Sequence, residues 1–201
     1  MAGSISQFIS SFNTDVARPA KFDVIINVPL SLIPYVNSSR QMNFRCESTE
    51  MPGRTLSTTE RKIGSAPVQK VPYHVSYNEL DMTFIVSDDM SEKIFFEGWM
   101  EAINPSSTYN FNYKSNYVTD IQINQYDVGN NLTYQALLID AFPIAVNQLD
   151  LNWSSNDYHR LTVVMAYTSW QNVQVSNILN NLGTQAISGL ESTLSSLNTK
   201  L

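Results

Sequence analysis

Residues 154–170 read SSNDYHRLTVVMAYTSW, and the way this stretch is read decides the fold. Successive side chains of a β-strand point to opposite faces. Leu161, Val163, Met165 and Tyr167 therefore share one face, and Thr162, Val164, Ala166 and Thr168 the other. Both faces carry apolar groups, which predicts a strand covered on both sides. Asp157 and His159 then stand at its start, two residues apart. On a strand they would share a face and could hydrogen-bond, so the pair has to be weighed as chemistry as well as structure.

Working outward, the same alternation recurs. Phe22, Val24, Ile26 and Val28 form one apolar face, Met42, Phe44 and Cys46 a second, Leu80, Met82, Phe84 and Val86 a third, and Tyr109, Phe111 and Tyr113 a fourth. Their β-branched and aromatic content predicts strands. Ile121 and Ile123 lead to the turn signal Asp127-Val128-Gly129-Asn130-Asn131, and Tyr134, Ala136 and Leu138 return from it, which predicts a hairpin. Leu149, Leu151 and Trp153 are expected to begin the strand pair that residues 160–170 complete.

The period changes twice. Ile5, Phe8, Ile9 and Phe12 make a short helical stripe at the N-terminus. In DDMSEKIFFEGWMEAIN, Phe96, Trp99, Met100 and Ile103 repeat at helical spacing. This predicts an amphipathic helix over residues 91–103, capped by Asp89 with Glu92 three residues on and stopped by Pro105. Its Trp and Met are expected to be core rather than a ligand pocket. Gly98 weakens the helix, so tertiary packing must hold it.

Two segments resist a compact picture. Residues 51–72, MPGRTLSTTERKIGSAPVQKVP, form an expected long polar loop carrying Arg54, Arg61, Lys62 and Lys70 against Glu60. It is either a solvated loop or an arm that docks on an acidic neighbour. Asp88, Asp89 and Glu92, near the helix start, are the candidate acidic side. In the tail, Val175, Ile178, Leu179, Leu182, Ile187, Leu190, Leu194 and Leu197 make a helical stripe among poor helix formers such as Gly183 and Gly189. That segment is expected to be helical only when docked.

At 201 residues and 22.7 kDa the chain can bury a sizeable core without a metal or a disulfide. The lone cysteine, Cys46, is expected to pack. Neither a signal peptide nor a membrane span is predicted. A net charge of −6 would repel phosphate backbones, which argues against gripping nucleic acid but not against letting it pass. The two histidines are His74 and His159, and no nucleophile elbow, metal-binding His pair, phosphate loop or cysteine pair accompanies either. No catalytic residue, cofactor or metal is expected, and His74 is read as structural.

An ordered set of segments carries a family resemblance. It comprises ARPAKFDVII (17–26), FRCESTEMPG (44–53) ahead of the polar loop, LDMTFIVSDD (80–89), IFFEGWMEAI (94–103), YQALLIDAFPIAVNQLDLNWSSND (134–157) with a DAFP turn, and RLTVVMAYTSW (160–170). Together they resemble the tail tube protein of T-even-type contractile-tailed bacteriophages over residues 17–171. The resemblance implies a mainly β fold of two packed antiparallel sheets, a β-sandwich or barrel, with one flanking α-helix. It leaves residues 1–16 as a short N-terminal arm and 172–201 as a helical C-terminal extension. It further implies a non-enzymatic subunit of the virion, assembled in the host cytoplasm, whose hexameric rings stack into a hollow tube, with the 51–72 loop reaching the adjacent ring. The implied partners are other copies, the tail sheath, the baseplate tube ring, and the tape-measure protein and DNA in the lumen, with no sequence-specific binding and no membrane insertion. A baseplate-proximal initiator ring, the tube of a bacterial contractile injection system, and a monomeric binding module or enzyme are the alternatives.

Overall fold

The alternation around Leu161 sets the middle of the molecule. In the computed structural model, which describes residues 5, 16–29, 31–32 and 42–174, β8 (Arg160–Ala166) lies between two antiparallel neighbours. Leu161, Val163 and Met165 are fully buried, and Thr162, Val164 and Ala166 half-buried. On one side β8 pairs with β5 (Leu80–Ile85), from Leu80 opposite Met165 to Ile85 opposite Arg160. On the other it pairs with the second half of β7 (Leu132–Val146).

The remaining strands extend this sheet outward. β1 (Phe22–Ile26) pairs with β6 (Thr119–Tyr126), β6 with the first half of β7, and β2 (Cys46–Thr49) with β5, giving the order β1-β6-β7-β8-β5-β2. β9 (Ser169–Asn172) pairs with the first half of β7 from Ala136 opposite Asn172 to Ile139 opposite Ser169. The sheet is antiparallel throughout and open, since no described strand joins β1 to β2. The barrel alternative is therefore not formed among the described residues. β3 (Thr55–Arg61) and β4 (Gln69–Ser76) make a separate two-stranded ribbon.

The 15-residue β7 belongs to both halves of the sheet. The expected DAFP turn is a bend inside it. At Asp140 the backbone takes φ 55°, a left-handed value that Asp tolerates better than most residues, and the strand continues through Pro143 to its second partner. The bend is held from outside. Lys114 Nζ donates to Asp140 Oδ2 (3.0 Å) and to Thr168 Oγ1 (2.6 Å), and Thr168 N–H donates to Ile139 O (3.0 Å).

Both halves feed one core, with Val24, Ile123 and Leu138 from one and Met82, Phe84 and Val163 from the other. Helix α1 (Ser91–Ile103) flanks it over the span that the periodicity predicts and adds Phe95, Phe96 and Trp99, all fully buried. Phe96 lies 5.1 Å from the Phe84 ring and stacks on Trp99 at 6.3 Å. The Trp99 indole N–H donates to Tyr117 O (2.7 Å), at the end of the short helix α2 (Lys114–Tyr117). Cys46 packs against this core, and burial pushes its thiol up to about 12.

The expected cap is displaced. Met90, at φ 53°, occupies the N-cap position without a side-chain bond. Asp89 accepts the Ser91 N–H (3.3 Å), while Glu92 reaches back past Asp89 to the Ser87 amide (2.9 Å) and hydroxyl (2.8 Å).

Four expected segments differ. The expected strand through Met42, Phe44 and Cys46 is helical at 42–43 and a turn at 44–45, and β2 begins only at Cys46; Met42 is buried but Phe44 faces solvent. Tyr109, Phe111 and Tyr113 lie exposed in the connection between α1 and α2, where Pro105 O takes the Tyr109 N–H and Tyr109 adopts φ 54°. Leu149, Leu151 and Trp153 belong to the loop over residues 147–159, not to a strand. Residues 51–72 are not a loop, because most of them form β3, its turn and the start of β4. The N-terminal stripe beyond Ile5 and the tail from Val175 onward lie outside the described residues.

Candidate functional site

Thr, Ser and charged residues dominate the 51–72 segment, and an isolated two-stranded ribbon can use them because neither face enters a core. β3 and β4 pair from Thr55 opposite Ser76 to Arg61 opposite Gln69, with an irregularity at Ser57/Thr58 that leaves Tyr73 as an extra residue. Gly64, at φ 60°, helps turn the chain between the strands. Neither strand packs extensively on another strand or helix of the body. Seven extended residues reach about 20 Å. Arg61, Lys62 and Lys70 are exposed at the outer end, with Lys70 opposite Glu60.

Arg54 does something different from the other three cations. Its guanidinium lies 5.4 Å from the Trp170 ring centroid and 5.8 Å from that of Tyr77, and donates to Trp170 O (3.4 Å). The Trp170 indole N–H in turn donates to Gly53 O (3.0 Å), and Tyr77 packs near Tyr167 at 6.1 Å. Gly53 and Arg54 precede β3 and Tyr77 follows β4, so one leg of the ribbon is held at β9 and the other at Tyr167, just ahead of it. Sequence reading missed Tyr77 and Trp170, since nothing local links Arg54 to a tryptophan 116 residues away.

Arg54→Ala is accordingly expected to lower the stability of the subunit by only about 1 kcal/mol, the scale of a cation over half-buried rings. Tryptic cleavage at Arg61, Lys62 and Lys70 should accelerate. Unchanged cleavage would show that the ribbon is held by its strands alone.

The acidic candidates sit at the other end of the sheet. The ribbon leaves where Leu80 and Met165 pair, whereas Asp88 and Asp89 follow the end where Ile85 and Arg160 pair. Both aspartates are exposed, and the Ser87 hydroxyl and the Ser91 amide hold the Asp89 carboxyl below its usual range. Glu92 is only 1% exposed and forms an ion pair with Arg45. It serves the helix start within the subunit and is not part of this surface.

Asp157 and His159 lie in the β7–β8 loop, just ahead of β8, where the alternation places them. Asp157 accepts the Tyr158 N–H (3.1 Å) and faces Arg160 at 4.0 Å, and His159 O accepts the Val86 N–H (3.0 Å). Both line an open cleft of about 330 Å³ with Asp150, Leu151, Asn152 and Tyr158. Among the described residues no three His, Cys, Asp or Glu side chains converge as metal ligands.

The described residues thus form a bent, open antiparallel sheet with a separate two-stranded ribbon leaving one end. The family described as phage tail tube protein matches residues 17–173, and the chain belongs to that family. No curated protein matches the sequence. Solved structures share the fold at low identity. The sheath/tube terminator structure of an extracellular contractile injection system (PVC, extended state) matches at 15% identity and TM-score 0.58, over 80% of this chain and 98% of that one. The baseplate structure of the anti-feeding prophage matches at 14% identity and TM-score 0.57, over 80% and 97%. The PVC sheath-tube complex matches at 17% identity and TM-score 0.51, over 86% and 100%.

Proposed function

We propose that this tail tube subunit closes into six-membered rings that stack head-to-tail into a hollow tube, sheathed on the outside, through which the tape-measure protein and then the phage genome pass. The observation that carries the reading is the separation of the cationic ribbon and the exposed Asp88 and Asp89 to opposite ends of one sheet. Such a contact is heterologous. It never satisfies itself within a pair and therefore propagates along an axis. The open sheet supports lateral closure in the same way, because β1, β2 and β9 each leave one side unpaired by any described strand. The net charge of −6 suits a conduit, since a wall poor in cations gives phosphates no counterion-release binding.

Purified protein is expected to remain monomeric or polymerise slowly, and to extend as hollow filaments when concentrated or seeded by baseplates. Electron microscopy reads the outcome, and protein that never extends from authentic baseplates overturns the proposal. Arg61→Glu with Lys62→Glu should block stacking while the monomer melts as before. Each exposed pair contributes only about 0.2–1 kcal/mol, but the contact repeats around the ring. A double variant that extends normally at low and moderate salt would remove the ribbon charges from the contact.

A further inference from the structure

Resting on the head-to-tail stacking proposed above, we infer that the β7–β8 loop, residues 147–159, is the seat that receives the ribbon tip of the next copy. The loop closes the end of the sheet opposite the ribbon root. Its frame is fixed by its own polar groups. Asn147 N–H donates to Thr162 O (3.0 Å) and its Oδ1 accepts the Thr162 N–H (2.8 Å), while Asn152 Oδ1 accepts both the amide (3.0 Å) and the hydroxyl (2.8 Å) of Ser154. At its return, Arg160 covers the Tyr158 ring at 4.2 Å and donates to Glu47 (2.8 Å).

On this ordered frame Leu151 is 88% exposed and Trp153 wholly exposed, two residues apart on the same loop. Single exposed apolar residues are ordinary. Here a leucine and a tryptophan stand together, flanked by the exposed carboxylates of Asp150 and Asp157. The ribbon tip is their complement. Ile63 and Val68 are exposed there beside Arg61, Lys62 and Lys70. One end of the subunit thus offers apolar surface edged with anions, and the other apolar surface edged with cations. An exposed indole also accepts a cation on its face. Asp89 already takes bonds from Ser87 and Ser91, which leaves it less to offer a neighbour than Asp150.

The experiment uses the full chain and baseplate-seeded extension. Trp153→Ser is expected to slow extension about tenfold, the scale of losing one aromatic anchor, with unchanged melting of the monomer because the side chain touches little within it. Asp150→Lys with Asp157→Lys should slow it about as much, and adding Arg61→Glu with Lys62→Glu in the same chain should recover most of the loss. Cysteines at Trp153 and Ile63 should form an intersubunit disulfide in tubes and not in monomer. If the unaltered chain never extends, the stacking reading itself fails. If it extends, while the Trp153 and aspartate variants extend equally fast and no disulfide forms, stacking stands and the seat lies elsewhere.

Discussion

Trp99→Ala is expected to lower the stability of the isolated subunit by about 3–5 kcal/mol, the range for deleting a buried tryptophan. Trp99 is fully buried, stacks on Phe96, meets Phe95 edge-on at 5.7 Å, and donates its indole N–H to Tyr117 O. Alanine would leave a cavity under α1 and orphan the Tyr117 carbonyl, loosening the connection that carries α2. Urea denaturation of the monomer measures the loss. Trp99→Phe keeps most of the packing but not the hydrogen bond, and should cost about 1–3 kcal/mol. Equal losses for the two variants would assign the effect to the hydrogen bond rather than to the space the ring fills.

A comparable loss, about 3 kcal/mol, is expected for Glu92→Ala, because removing one partner of a buried pair strands the other. Arg45 retains some solvent access, which keeps the figure toward the lower end of the buried-pair range. Burial opposes ionisation of Glu92 most strongly, yet the Ser87 amide, the Arg45 guanidinium and the Ser87 hydroxyl together outweigh it and hold the carboxyl below its ordinary value of 4.5. A carboxyl lowered on folding contributes stability above its unfolded value and loses it as pH falls through the folded one. The subunit should therefore weaken below about pH 4.5, and Glu92→Gln should weaken less over that interval. Parallel acid profiles for the two proteins would show that other carboxylates govern the transition.

The parts of the fold that could be read from the chain are those in which one face is fully buried and the other less so. β5 and β8 declare themselves through Leu80, Met82 and Phe84 and through Leu161, Val163 and Met165, and α1 through Phe96 and Trp99, because burial selects the residue type at each period. Where burial is absent, alternation misleads. Tyr109, Phe111 and Tyr113 alternate as a strand would, yet among the described residues no neighbouring strand takes them up, and Pro105 and the left-handed Tyr109 turn the chain instead. Leu151 and Trp153 misled in the same way. The ribbon failed in the opposite sense, because with water on both faces it has no apolar period to show and reads as loop.

Of the site, the three tip cations could be seen as a charge imbalance, since composition alone reveals them. The role of Arg54 could not, because it depends on Trp170 and Tyr77 meeting it from distant positions. Glu92 was visible as a capping residue but not as a buried one. Its partner Arg45 lies 47 residues earlier, on the approach to β2.

The passage of β7 through both halves of the sheet bears on how the subunit carries mechanical load. Two sheets joined only by loops can slide past each other when twisted, with side-chain contacts and flexible connections taking up the motion. Here the two halves share one unbroken strand, so torque applied to either is carried by covalent backbone across the bend at Asp140. The bend is the compliant point of that path, and the brace from Lys114 to Asp140 and Thr168 stiffens it from outside. A subunit built this way resists shear along its own chain, with the bend at Asp140 braced against twisting.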